Sequence, residues 1–339
     1  MDLPYNLAGI DVHKRMLAVV VANARKTELK FECRRFGTTI SELHHLLAWL
    51  QERAVQEVVM ESTAQYWRPV WMALEGHCRL HLAQARSNRG PRGRKTDFRD
   101  AQRAVSRLLS GDLILSYVPE AEQRSWRTLT RTKYQLTRDK VRLQSQLESL
   151  LEECQIKLSS VVSDLLGASG QRILRALAKG ETNPAQLAKL GDKRLRATEA
   201  EMQDALNGKL QGIHRQLLAL YLARLDLIEL QMESLDGMIA AAMKAHEQAI
   251  IRLAELPGLG IDSAQQIIAE IGPQAAAFPS AAQLASWVGV CPGLSSNGYL
   301  HVWGTPRQFG RLPTASVDLS GKSCTRASLM WSTSRRPLR

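Results

Sequence analysis

Four carboxylates stand out by type and position. Asp97 and Asp100 lie three residues apart in "GRKTDFRDAQRA" (93–104), a stretch otherwise rich in arginine. That spacing puts both on one face of a helix. Asp11 ends the apolar run "NLAGIDV" (6–12), and Glu61 falls at the polar end of "QEVVMES" (56–62). Carboxylates brought together without compensation repel one another and lose hydration. Two divalent cations about 3.5–4 Å apart remove the conflict, and such a pair clamps the attacking and leaving oxygens of a phosphoryl transfer. Oxygen donors suit Mg2+ or Mn2+ rather than zinc. The expected catalytic and metal residues are therefore Asp11, Glu61, Asp97 and Asp100, with two ions. Each acid alone also has a plainer use: Asp97 beside Thr96 suits a helix's first turn, and Glu61 suits a surface turn. Asp11 resists this, because burying it unpaired costs on the order of several kcal/mol. His13, Lys14 and the other histidines show no ligand spacing and are expected to be solvated or structural.

The chemistry requires the four acids to meet, so the elements that hold them decide the matter. "NLAGIDV" and "MLAVVVANA" (16–24) are β-rich runs separated by the polar "HKR", which predicts a hairpin, and "ELKFECRRF" (28–36) alternates as a third strand. "TISELHHLLAWLQER" (39–53) is an amphipathic helix capped near Thr39 or Ser41. A strand at 56–62, a helix around Trp67–Gly76, a strand "RLHLAQA" (79–85) and a helix from Thr96 to about Ser110 follow. Three consecutive strands, then helix–strand–helix–strand–helix, is the order of a ribonuclease-H-like mixed sheet; a doubly wound nucleotide-binding sheet does not begin with a three-strand meander. In that topology the first and fourth strands are neighbours and the last helix crosses near their ends.

Charge points to the ligand. The 339 residues carry a formal net charge of +12, and it is blocked rather than scattered. Residues 79–107 hold nine Arg and Lys against two acids, and 122–146 hold seven against two. Such blocks suit a phosphate backbone. Arg89, Arg92, Arg94, Lys95, Arg99, Arg103, Arg124, Arg127, Arg131 and Lys133 are the expected nucleic-acid contacts. The five cysteines are odd in number and far apart with no CxxC, against a disulfide framework or a zinc site. No signal peptide and no bilayer-spanning run is seen, which predicts a cytoplasmic, nucleoid-associated protein.

The middle of the chain is helical. Leu143, Leu147, Leu150 and Cys154 form one apolar seam; Leu218, Leu225, Ile228, Met232, Leu235 and Ile239 form another. Two long helices with a shorter one in 183–206 between them predict an antiparallel coiled-coil arm, or an ordinary bundle. "LAELPGLGIDSAQQIIAEIG" (253–272) reads as helix, glycine turn, helix, a helix-hairpin-helix able to offer the amides of Gly258 and Gly260 to a phosphate. The expected architecture is thus α/β plus all-α: a ribonuclease-H/RuvC-like domain over 1–118, a helical coiled-coil region over 119–245 and a small helical C-terminal domain over 246–339. Its last forty residues, 300–339, lose periodicity and read as a basic, Ser/Thr-rich tail.

The segments "GIDVHKRMLAVVV", "VVMESTAQYWRPVWMALEG", "GRKTDFRDAQRAVSRLLSGDL" and "LPGLGIDSAQQIIAEIG…FPSAAQLASWVGVCPG" resemble the DEDD-type insertion-sequence transposases in order and spacing, over residues 5 to about 298. The resemblance implies a RuvC-like domain whose metal tetrad is Asp11, Glu61, Asp97 and Asp100, with a separate serine-bearing C-terminal domain. It implies a serine nucleophile shortly after the Pro-Gly turn, which here is Ser296, with Ser295 the alternative. It further implies DNA at element ends and target, a guide RNA encoded by the element, and a homo-oligomer, dimer or tetramer. Beyond Gly298 the sequence departs from the family's pattern and resembles a frameshifted or truncated end. Two other readings stand beside the recombinase: an inactive nucleic-acid-binding remnant, and a RuvC-like structure-specific endonuclease that only hydrolyses.

Overall fold

The computed structural model describes residues 5–25, 29–61, 64–85, 88, 96–192, 194–288, 292–294 and 300–302. The chain forms two compact units, Met1–Pro119 and Glu120–Arg339.

The first unit is built on a six-stranded sheet: β1 (Asn6–Val12), β2 (Met16–Asn23), β3 (Glu32–Gly37), β4 (Val55–Glu61), β5 (Arg79–Ala83) and β6 (Leu115–Ser116). The strand order is β3-β2-β1-β4-β5-β6. β1, β2 and β3 run antiparallel as a meander, β4 and β5 are parallel to β1, and β6 closes the edge antiparallel to β5. This is the ribonuclease-H/RuvC-like mixed sheet, with β6 as an addition that the sequence reading missed. α1 (Ile40–Glu52), α2 (Trp67–Leu74) and α3 (Asp97–Ser110) connect the strands.

Strand alternation sorts the side chains onto two faces. Ala8, Ile10 and Val12 of β1 share a core with Leu46 and Trp49 of α1 and Val70 and Leu74 of α2. The other face is smaller: Leu7, Val20, Val59 and Ala83 meet Ala101, Ala104 and Val105 of α3. Asp11, two positions on from Gly9 and four from Leu7, and Glu61, two on from Val59, belong by period to the α3 face. Gly9 sets how close that helix comes. A Cβ there would lie 2.3 Å from the Ala101 carbonyl oxygen and 2.8 Å from Val105 Cγ2. α3 therefore rests on bare backbone of β1, two residues before Asp11.

The second unit is helical. α4 (Ala121–Glu153) and α9 (Gly212–Ala242) are the two long helices, with α5 (Leu158–Val161), α6 (Ala168–Lys179), α7 (Pro184–Ala188) and α8 (Glu199–Ala205) between them. Trp126 Nε1 donates to the Ala242 carbonyl at 3.1 Å, Lys133 pairs with Asp236, and Lys140 pairs with Glu229 at 2.7 Å. Residues ascending in α4 meet residues descending in α9, so the pair is antiparallel. Leu143, Leu147, Leu150 and Cys154 are buried against Leu218, Leu225 and Ile228, together with Ile173, Leu174 and Leu177 of α6. Segment 183–206 is two short helices rather than one: α7 begins behind the Asn183 cap with Pro184 in its first turn, and α8 restarts through a Thr198–Glu201 capping box.

α10 (Glu247–Ala254) and α11 (Ile261–Ile271) are joined by a turn in which Gly258 has φ 87°. They pack on the long helices through Trp126, Ile239, Met243, Ile250, Ala264, Ile268 and Ala269. The middle and C-terminal helices thereby form one unit. α12 (Ala281–Val288) follows, then β7 (Pro292–Leu294) and β8 (Leu300–Val302), paired antiparallel. Ser295, Ser296 and almost all of the 300–339 tail lie outside the described residues, as do Arg89, Arg92, Arg94 and Lys95. Among the described residues no helix is long and apolar enough to cross a membrane.

Candidate active site

The carboxylates arrive from three elements. Asp11 stands near the end of β1 and Glu61 ends β4, the neighbouring parallel strand, with Ile10 paired in register to Met60. Asp97 and Asp100 occupy the first turn of α3, where Thr96 is the N-cap. Seated on Gly9, α3 aims that turn at the strand ends. Asp11 and Asp97 each place a carboxylate oxygen within 4.8 Å of the other and of a ring nitrogen of His13. The Asp11 side chain is 13 % exposed. Burial pushes its carboxyl above the usual carboxylate range; His13 opposes the rise, and Asp100 and Asp97 add to it. Both acids of the first turn of α3 therefore act on Asp11 electrostatically at this rim.

Asp100 is buried, at 5 % exposure, and accepts a hydrogen bond from Arg103 Nη1 at 2.6 Å. The same guanidinium nitrogen donates to the Asn88 backbone carbonyl at 3.3 Å, while Asn88 Nδ2 donates to Glu61 Oε2 at 3.0 Å. A polar chain, Glu61–Asn88–Arg103–Asp100, thus links Glu61 to Asp100. Arg103, expected on a nucleic-acid backbone, is held here as the counter-charge of Asp100. Asn88, 4 % exposed, had no motif to mark it.

His13, expected to be solvated or structural, is half exposed and stands beside two of the acids. Its Nε2 lies 3.2 Å from Asp11 Oδ2 and 3.5 Å from Asp97 Oδ1. It follows Asp11 by two residues, the interval that keeps two extended residues on one side of a sheet, and that spacing was visible. Arg35, on β3, lies with its Nη2 3.8 Å from Asp97 Oδ2 and its guanidinium over the Phe98 ring at 5.3 Å, and is largely exposed. Hard carboxylate oxygens from separate elements, partly desolvated and mutually repelling, are a donor set that fits a divalent cation.

The basic residues of α4 divide differently. Arg131 binds Glu270 of α11 with both nitrogens, Nε at 2.6 Å and Nη2 at 2.8 Å, and Glu270 is 5 % exposed. Arg127 donates to the Ala269 carbonyl at 3.2 Å and to that of Glu270. Lys133, 8 % exposed, joins Asp236 of α9 to Asp262 of α11. Three residues expected to grip phosphate are thus committed to partners within the helical unit, and they are not carried into a nucleic-acid surface. Arg99 is exposed on α3. Gly260 is the N-cap of α11, whose first turn holds Asp262.

Two stretches of the chain match transposase family models. Residues 8–156 match the model of a DEDD transposase of IS110 type, described as "Transposase", and residues 251–307 match the "Transposase IS116/IS110/IS902 family". The second match runs past Gly298. A curated relative, the "Insertion element IS110 uncharacterized 43.6 kDa protein" of Streptomyces coelicolor, is 32% identical over 98 residues, 29% of this chain and 24% of the relative. The matched stretch thus spans about a quarter of that relative's length. Two solved structures of Thermus thermophilus RuvC are also similar. The one in complex with a Holliday junction substrate is 13% identical, covering 33% of this chain and 99% of its own at a TM-score of 0.26. The second is 14% identical over 33% and 100% of the two chains, at a TM-score of 0.27.

Proposed function

From a chain that belongs to the DEDD-type IS110 transposase family, we infer an enzyme that cuts and rejoins DNA strands at the ends of a mobile element and at its target. The observation that supports this reading is the meeting of Asp11 with Asp97 across the β1–α3 contact, with Asp100 and Glu61 tied to each other through Arg103 and Asn88. In this proposal Asp11, Glu61, Asp97 and Asp100 hold Mg2+ or Mn2+, as two ions. A divalent cation bound there polarises a phosphoryl oxygen and favours charge developing in the transition state. Arg35 and Arg99, both exposed, face incoming phosphate at the rim of the site.

The nucleophile of the proposal is the Ser296 hydroxyl, with Ser295 the alternative. Its oxygen forms a bond to phosphorus as the bond from phosphorus to the departing strand breaks. The hydroxyl proton goes to a base and the strand leaves as a free hydroxyl end. A protein–DNA ester results, and the reverse exchange with another strand rejoins the DNA. The family resemblance and the blocked positive charge support a nucleic-acid partner, with an element-encoded RNA as guide and the Gly258–Gly260 turn as a phosphate contact. Ile213, Leu220 and Leu227, seven residues apart on α9, are exposed with Leu230 on the side away from α4. That spacing supports self-association through a helical seam.

The test is excision and rejoining of a marked element in cells by this chain, by Asp11→Ala and by Ser296→Ala. The reading expects signal from the first alone, and a covalent DNA adduct that Ser296→Ala loses. Cleavage with no adduct would replace the recombinase by a hydrolytic endonuclease; intact binding with no cleavage by the unaltered chain would make it a remnant.

A further inference from the structure

We propose that His13 is a nitrogen ligand of the cation held by Asp11 and Asp97, and that it tunes this position toward manganese-class cations rather than magnesium. The inference deepens the metal reading above and rests on it. Asp11, His13 and Asp97 each offer one donor atom, and the three lie within 4.8 Å of one another. Adjacent ligands of an octahedral ion with bonds of about 2.1 Å are about 3 Å apart. The nitrogen is 3.2 Å from one carboxylate oxygen and 3.5 Å from the other, so small side-chain adjustments place all three around one ion.

The backbone supports the placement. The His13 amide donates to the Met16 carbonyl at 3.0 Å, closing the β1–β2 turn. That bond keeps the ring above the strand end instead of leaving it on a loose loop. The His13 side chain is half exposed, so positions opposite the protein ligands stay open to water or phosphate. Imidazole binds first-row transition cations better than it binds magnesium, which prefers oxygen and keeps its waters. A site of two carboxylates and one imidazole therefore differs in kind from one of carboxylates alone.

The experiment uses the full chain loaded with Mn2+ and reads the ion by pulsed electron paramagnetic resonance, which detects a directly bonded 14N. Parallel titrations measure Mn2+ and Mg2+ affinity. The expected result is a 14N coupling in the unaltered chain that disappears in His13→Ala and in His13→Gln. Mn2+ affinity should fall by at least about 10-fold in His13→Ala, since losing even a group that only supports a ligand commonly costs that much, with Mg2+ affinity changed by less than about 3-fold. Mn2+ bound through Asp11 and Asp97 with no 14N coupling, or with a coupling that survives His13→Ala, overturns the inference and leaves the metal site standing. Mn2+ binding indifferent to both Asp11→Asn and Asp97→Asn overturns the metal reading itself, and the inference with it.

Discussion

Replacing Gly9 by alanine tests how the site is assembled, because Gly9 touches none of the acids. The added Cβ would lie 2.3 Å from the Ala101 carbonyl oxygen, where ordinary contact begins near 3.4 Å. α3 must retreat by the difference, about 1.1 Å, and no rotamer change helps, since the obstructing atom is backbone. Forcing an extra carbon into a packed contact costs about 1–3 kcal/mol, and for a unit of this size each kcal/mol lowers the melting temperature by roughly 4–8 °C. The functional loss should exceed the stability loss. A reacting group misplaced by about 1 Å costs on the order of 100-fold in rate, and the retreat separates Asp97 and Asp100 from Asp11. Strand cleavage on a short DNA duplex, Mn2+ affinity and a thermal melt are the three readouts, taken where the variant remains folded. Adding Val105→Ala removes only the 2.8 Å contact and should not restore activity. A Gly9→Ala protein that melts with the unaltered chain and cleaves within 2-fold of it would refute the claim that this contact sets the site.

Asp11→Asn should stabilise the metal-free protein at pH 7 by about 1 kcal/mol, since removing a functional strain commonly yields that much. The Asp11 carboxyl lies above its ordinary 3.8, so the native state binds its proton more tightly than the unfolded state does. Stability therefore declines as pH rises through that window, and urea unfolding should show the advantage of the variant closing as pH falls toward 3.8. Arg131→Ala should lower stability by about 3 kcal/mol, because Glu270 is left as a buried charge short of its main partner. DNA affinity of the folded fraction should stay within about 2-fold, whereas Arg99→Ala should weaken binding and flatten its salt dependence by about one unit while leaving the melt unchanged. Gly237→Ala, inside α9 with nothing within 4 Å of the new carbon, should stabilise the helical unit by about 1 kcal/mol in the same melt.

The sheet and three of its helices were legible because strand and helix periods differ and the apolar runs are clean. The same alternation that buries Leu7 and Val59 beneath α3 puts Asp11 and Glu61 on that face, so the approach of Asp97 to Asp11 could be read from pattern and element order. The nearness of His13 to Asp97 was not legible, because the two stand 84 positions apart and are brought together by tertiary contact. Long-range pairing also hid the use of the α4 cations: Arg131 stands 139 residues from Glu270, and a local charge count cannot see a partner at that distance. The break in 183–206 was present in the sequence as a Thr-x-x-Glu box, overridden there by the apolar pattern around it.

The fully buried α3 residues on this face of the sheet are Ala101, Ala104 and Val105, with Phe98 and Leu108 only partly buried beside them. Small residues let the helix approach closely, yet they remove little apolar area from water, at roughly 25 cal/mol per Å2. The opposite face has tryptophan and leucine to hold it. The layer bearing half the acids is thus expected to loosen first under thermal fluctuation, and an ion bridging it to β1 would act as a latch. Amide protons of residues 101–108 would then exchange with deuterium faster in chelator than with ion bound, a natural gauge of occupancy in a protein with no engineered label.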